Sequence, residues 1–378
     1  MVAHPRPLIE VLAEMPDFRS NRGKRHPLAA ILALACSAML CGYRSDTAIA
    51  EWGRHYGSRL SQALGFTHTP PCAATLHTVL RRVDREVLEA QLSAWTEALL
   101  CGNPAPEGTA EAIAIDGKTL RGSRKQGAPG APLLSALAHR LGLTLAQHPV
   151  ADATNEIPEV FALLRSLVLE GRVGTMDALL PQRQIAHRIV EAQGDYVMLG
   201  KDNQPHLRED MHTVFALPPI AGERRPMAET VDSGHGRIEQ RRLRTRTVLV
   251  GYSDWPGLAP VFQIERQVIV KKTGECREEV VAGVTSLGPE RANAARLLAL
   301  VRGHWQIENQ SHGVRDVTFD EDRSPVRCGN IPQVMAALRN TVIGLMRWAG
   351  DTNIAAACRR FAAQPWAALA LIGIVLEN

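Results

Sequence analysis

"AIAIDGKTLRGSR", residues 112–124, is the stretch whose reading decides the fold. Four small or apolar residues, Ala112 to Ile115, read as a short buried strand and run straight into Asp116. A carboxylate at the end of an apolar strand is costly unless a cation meets it. Two motifs that could explain it fail. A phosphate-binding P-loop needs its first glycine at position 112, where Ala112 stands. An acid-nucleophile phosphatase would carry its nucleophilic aspartate at position 114, which is Ala114. A strand-end aspartate awaiting a metal ion remains.

Around it the chain alternates strand and helix. "PLLSALAHRLGLTLAQHPV" (132–150) predicts two strands joined by a turn, "PEVFALLRSLVL" (158–169) a helix, and "GRVGTM" (171–176) a strand ending on Asp177. "QRQIAHRIVEAQG" (182–194) predicts a helix and "DYVMLG" (195–200) a strand, so residues 106–204 read as an α/β segment of mixed-sheet type. Asp177 repeats the situation of Asp116. Either alone suits a loop or helix cap; two strand-end aspartates in an α/β domain raise the odds of a site.

The third carboxylate stands on "RLLALVRGHWQIENQSH" (296–312). At helical periodicity Leu297, Val301, Trp305, Glu308 and His312 share one inward stripe. A glutamate centred on an apolar face needs a partner. Either a salt bridge with Arg302 or Arg315 supplies it, or Glu308 joins Asp116 and Asp177 around hard, oxygen-loving cations.

The flanks are of different character. Residues 1–105 read as helical, with the apolar run in "NRGKRHPLAAILALACSAMLCG" (21–42) predicting a core helix and "CGNPAPEGT" (101–109) a linker. His77, Arg81 and Arg82 suit either a helix-turn-helix-like DNA reader or the solvated face of a helical bundle. Residues 205–285 read as an all-β insertion, one strand of which carries Arg242, Arg244 and Arg246 on a single face, which suits either a solvated edge or a phosphodiester backbone. Helices return over 286–378.

Composition permits this organisation without specifying it. The 378 residues carry a net charge of +4, and many proteins of that charge bind no nucleic acid. Seven cysteines are scattered without ligand spacing, which argues against structural zinc and disulfides and suits a reducing cytosol.

Six blocks then occur in order: "AIDGKTLRGSR", "TNEIPE", "MDALLPQRQIA", "GDYVMLGKDNQ", "GHGRIEQRR" and "RGHWQIENQSHGVRDVTFDEDRS", preceded by "HPLAAILALACSAMLCGYRSDTAIAEWG". In these the chain resembles, over nearly its full length, the H-repeat-associated insertion-sequence transposases of the DDE superfamily, whose core is ribonuclease H-like. The resemblance implies an α/β class with a mixed-sheet core, a helical N-terminal domain that binds DNA ends, and a DDE triad at Asp116, Asp177 and Glu308. It implies two Mg²⁺ or Mn²⁺ ions per active site, double-stranded DNA (terminal repeats and target) as partner, a homodimer in the synaptic complex, and no membrane. Lys118 and Arg121, close after the first aspartate, could neutralise the scissile strand's phosphates; His304 and Arg315 occupy positions where related transposases have arginine and lysine around the glutamate. Val301 stands where they have tyrosine, Gly313 where the group has tryptophan, and Ala153 where it has lysine. Asp316 and Asp322 are acids outside the triad. A catalytically inactive, transposase-derived DNA-binding protein and a metal-dependent nuclease of the same fold are the alternatives.

Overall fold

The computed structural model describes residues 6–20, 22, 24–124, 130–150, 157–177, 180, 182–200, 205–218, 225–234, 236–324 and 326–375. Position 153, half of "TNEIPE", parts of "MDALLPQRQIA" and "GDYVMLGKDNQ", and position 235 lie outside the described residues. The chain opens with helices α1 (Leu8–Ala13), α2 (Leu28–Leu40), α3 (Asp46–His55), α4 (Gly57–Ala63), α5 (Ala73–Arg82) and α6 (Arg85–Cys101). Then come β1 (Ala112–Leu120), β2 (Ala131–Ala138), β3 (Thr144–Pro149), α7 (Ile157–Arg165), β4 (Val173–Met176), α8 (Arg183–Glu191), β5 (Asp195–Gly200) and α9 (Pro205–Ala216). Strands β6 (Met227–Gly234), β7 (Arg237–Arg246), β8 (Val261–Val270) and β9 (Cys276–Thr285) precede α10 (Ala294–His304), a π-helical turn (Glu308–His312) and α11 (Gly313–Val317). Helices α12 (Ile331–Trp348), α13 (Ile354–Ala363) and α14 (Pro365–Leu371) close the chain.

These elements form two compact units, one of residues 1–107, 117–159 and 307–378 and the other of residues 108–116 and 160–306. In the first, α2 is buried at every position except Ala29. Its apolar run is a central core helix, against which α1, α3 and α12 pack. The flanking helices start where the sequence supplies caps: Ser45 Oγ accepts from the Ala48 amide at 3.1 Å, and Asp84 Oδ1 from the Glu86 and Val87 amides. The hairpin β2–β3 is antiparallel, and Leu120 at the end of β1 packs with Leu133 of β2 and Ala336 of α12.

The second unit is built on a mixed sheet in the order β1-β4-β5-β9-β8-β7-β6. Strands β1, β4 and β5 run parallel, and their paired residues are all buried, mostly apolar with Thr175 and Asp195 as the polar exceptions. Helix α10, capped by Asn293 Oδ1 on the Arg296 amide, lays Leu297, Leu298, Leu300 and Val301 against Val173, Val197, Leu243, Phe262 and Ile264. The class is the α/β mixed-sheet class that the resemblance implies. Residues 205–285, however, are neither all β nor separate from the core sheet. They begin with α9, and β9 is hydrogen-bonded antiparallel to β5, Val197 opposite Thr285, so β6–β9 extend the same sheet. Among the described residues no helix is long and apolar enough to cross a membrane.

Candidate active site

The ladder between β1 and β4 ends with Ile115 opposite Met176. The next residue on each strand is an aspartate, Asp116 and Asp177, both half-buried. Neighbouring strands lie about 4.8 Å apart, so the two carboxylates leave one edge of the second unit side by side. Behind them Thr175 Oγ1 lies 3.2 Å from His304 Nδ1, at the C-terminal end of α10. His304 is 3% exposed. Burial pushes its pKa down to about 4, and the charge of Asp177 and a hydrogen bond with the Thr175 backbone only partly oppose this. The imidazole is therefore neutral at physiological pH. Two carboxylates on adjacent, rigid strands are donors that suit a hard divalent cation. Among the described residues no three His, Cys, Asp or Glu side chains are grouped to hold an ion.

Glu308 opens the π-helical turn in the first unit. The inward stripe drawn from helical periodicity holds for Leu297 and Val301 but not for Glu308, which is exposed. Helix α10 ends at His304 and the turn that starts at Glu308 is π-helical, so the α-helical count is interrupted just before Glu308, although His312, further along, is buried as the stripe expected. Neither arginine considered as its salt-bridge partner is available. Arg302 pairs with Asp232 at 2.8 Å, and Arg315 with Glu321 at 2.5 Å.

The expected DNA-contacting cations divide by depth, and three of them are buried. His304 is buried and neutral, as described. Arg315 is completely buried in its pair with Glu321. Arg246 is 2% exposed and donates to the Val214 carbonyl in the last turn of α9 and to the Leu217 carbonyl just after it. It shares a strand face with Arg242 and Arg244, but β7 runs from an exposed edge into the core, and same-face residues differ in depth. Arg242 and Arg244 are half-exposed and paired with Glu229 and Glu265 from the flanking strands. Lys118 is bound to Asp316 at 2.6 Å with 8% of its side chain exposed. Arg121 is the open one, with 68% of its side chain exposed and Asp322 at 3.9 Å. In the N-terminal helices His77 pairs with Asp46 at 2.8 Å and Arg82 lies over the Phe18 ring.

Sequence reasoning missed Glu321 and Arg339. Arg339 Nη1 donates to Glu321 Oε1 at 2.8 Å, completing a buried cluster with Arg315. The signal was present: an arginine inside the apolar run "MAALRNTVIGLM" (335–346) must bring a counter-charge with it.

Comparison with known proteins gives two family matches, to a "Transposase DDE domain" over residues 107–345 and to a "DDE_Tnp_1-associated" region over residues 9–96. "Putative transposase YncI" of Escherichia coli O157:H7 is 28% identical over 346 residues, 90% of this chain and 87% of that protein. "H repeat-associated putative transposase YhhI" of Escherichia coli K12 is 27% identical over 90% of both chains. An "Uncharacterized protein in dhlA 3'region" of Xanthobacter autotrophicus is 33% identical over 70% of this chain and 89% of its own length. Among solved structures, the piggyBac transposase in a cryo-EM synaptic complex with hairpin DNA aligns with 96% of this chain and 76% of its own, at a TM-score of 0.44 and 10% identity.

Proposed function

From the premise that the chain belongs to the DDE-domain transposases, H-repeat-associated proteins among them, we propose that it cuts DNA at the ends of an insertion sequence and joins the freed 3′ ends to target DNA. Asp116, Asp177 and Glu308 are the metal-binding triad of this reading. The observation that carries it is the pair of aspartates side by side at the end of the β1–β4 ladder. When bound, two Mg²⁺ or Mn²⁺ ions would activate the attacking water or 3′-hydroxyl and stabilise the leaving 3′-oxygen. The chain's own part is to hold and orient. Strands β1 and β4 fix the two aspartates, and burial of His304 keeps a cation from competing for Asp177. Glu308 supplies the third carboxylate from its exposed turn, and Arg121 meets a phosphate of the scissile strand. The helical segment 1–105 reads the terminal repeats, and two copies bring the two ends together in the synaptic complex.

The test is nicking and strand transfer on duplexes carrying the element's terminal repeats, in Mg²⁺ and in EDTA. Wild type is expected to cut at the 3′ ends and join them to a second duplex only with metal, and Asp116→Asn, Asp177→Asn and Glu308→Gln each to abolish both steps. Cutting that survives Glu308→Gln removes it from the triad. Cutting without joining makes the protein a nuclease, and binding without cutting a DNA-binding descendant.

A further inference from the structure

The residues that follow Asp116 and those that follow Glu308 belong to one unit and are fastened to each other at successive points. Lys118 Nζ lies 2.6 Å from Asp316 Oδ2. The other oxygen of Asp316 is buried and has no hydrogen-bond partner among the described residues, so without Lys118 this carboxylate would lose the cation that compensates its burial. Two residues beyond Leu120, Gly122 is seated on the backbone of 321–324. A Cβ there would stand 2.5 Å from Glu321 O and 2.7 Å from Ser324 O, an approach that only glycine allows. Arg327 Nε donates to Gly122 O at 3.3 Å. The far side of this seat is rigid, because Glu321 is buried between Arg315 and Arg339.

We propose that Lys118 is a positioning residue and not a phosphate ligand: its ion pair with Asp316, beside the Gly122 seat, fastens the part of β1 that follows Asp116 to the helical segment that follows Glu308 within the first unit, and so fixes the backbone next to each carboxylate. The inference rests on the reading of those two residues as ligands. A lysine side chain that is 8% exposed and already held by a carboxylate is poorly placed to meet DNA, whereas it spans two segments that each begin at a proposed ligand. Catalytic groups misplaced by about 1 Å cost roughly a hundredfold in rate, so a single buried tie of this kind has a large effect without touching substrate.

The experiment is a double-mutant cycle of Lys118→Met and Asp316→Asn on the full chain, with Lys118→Arg as the conservative variant. Three quantities are read: kcat and KM for nicking of terminal-repeat DNA, the salt dependence of DNA binding in EDTA, and thermal melting. The expected result is a fall in kcat of roughly tenfold to a hundredfold in either single variant, no further loss in the double, KM and salt slope unchanged, and largely restored kcat in Lys118→Arg. Melting shifts should be non-additive in the same cycle. A salt slope lowered by about 1 in Lys118→Met, with Asp316→Asn nicking normally, overturns the proposal and makes Lys118 a phosphate ligand. Additive effects with an active wild type overturn the tie alone. A wild type that does not nick removes the functional reading and the positioning role with it, even where the melting cycle shows the ion pair.

Discussion

Replacing Glu321 by glutamine should unfold the protein more readily than any other single change of one charge in the first unit. Glu321 is 3% exposed; it accepts from Arg315 Nε at 2.8 Å and Nη2 at 2.5 Å, and from Arg339 Nη1 at 2.8 Å. Arg339 also donates to the Arg44 carbonyl at 3.1 Å, joining α12 to the loop before α3. Burial by itself would push the carboxyl's pKa up, but the charges and hydrogen bonds of Arg315 and Arg339 bring it from 4.5 down to about 2. At about 1.4 kcal/mol per pH unit this difference is worth roughly 3 kcal/mol. An independent route agrees: breaking a buried pair from one side costs about 3–5 kcal/mol, because it strands the remaining charge. With about 2–4 °C lost per kcal/mol in a domain of this size, Glu321→Gln should melt roughly 6–20 °C below wild type at pH 7. Because the folded pKa is depressed, this stabilisation is fully present above pH 4.5 and is lost as pH falls towards about 2. The gap between the two melting curves should therefore close over that interval. Calorimetry of both proteins from pH 7 to pH 2.5 measures it. A gap under about 2 °C at pH 7, or one that does not narrow in acid, would refute the account of Glu321 as the counter-charge of two buried arginines.

Three further outcomes can be measured. Glu89, facing Gln147 at 2.9 Å in the first unit, has its pKa pushed up to about 7 by burial, against the pull of Gln147 and Arg85. A raised carboxyl pKa means that stability falls as pH rises from 4.5 through about 7, so Glu89→Gln should melt higher than wild type at pH 8, by about 1–3 kcal/mol, and equally at pH 4. Arg121→Ala should lower the slope of DNA affinity against salt by about 1 with unchanged melting, whereas Arg246→Ala should leave the slope alone and lower melting, since the buried Arg246 serves two backbone carbonyls. In EDTA, Asp116→Asn should be more stable than wild type through relief of the Asp116–Asp177 repulsion. It should lose most of the gain that Mg²⁺ gives wild type, about 2.7 kcal/mol at a hundredfold excess over Kd.

Much of the first unit's helical part and of the parallel strands could be read directly. The apolar run of α2 is buried at every position but Ala29, "VGTM" is a strand that ends beside Asp177, and "AIAI" opens a strand that continues through Asp116 to Leu120, its pairing with β4 ending just before the aspartate. Such patterns are local: a strand buried on both faces must be apolar at consecutive positions, and a carboxylate after it stands out in the sequence. The family resemblance supplied Glu308, for which periodicity gave a stripe that the structure does not keep.

What the tertiary structure decided was depth and long-range pairing. The period of β7 puts Arg242, Arg244 and Arg246 on one face, but only the register of β7 on β8 and of β9 on β5 shows that Arg246 sits inside. That same pairing turned the expected β insertion into an extension of the core sheet. The acids Asp316 and Asp322, outside the triad in the sequence reading, are partners of Lys118 and Arg121, about two hundred residues away in the chain. The sequence alone determined which segments are helix or strand and where carboxylates interrupt apolar runs, because those depend on neighbours a few positions away. Which cation lies buried, which carboxylate neutralises it and where a helix takes a π turn depend on what packs against them from distant parts of the chain, and no local periodicity records that.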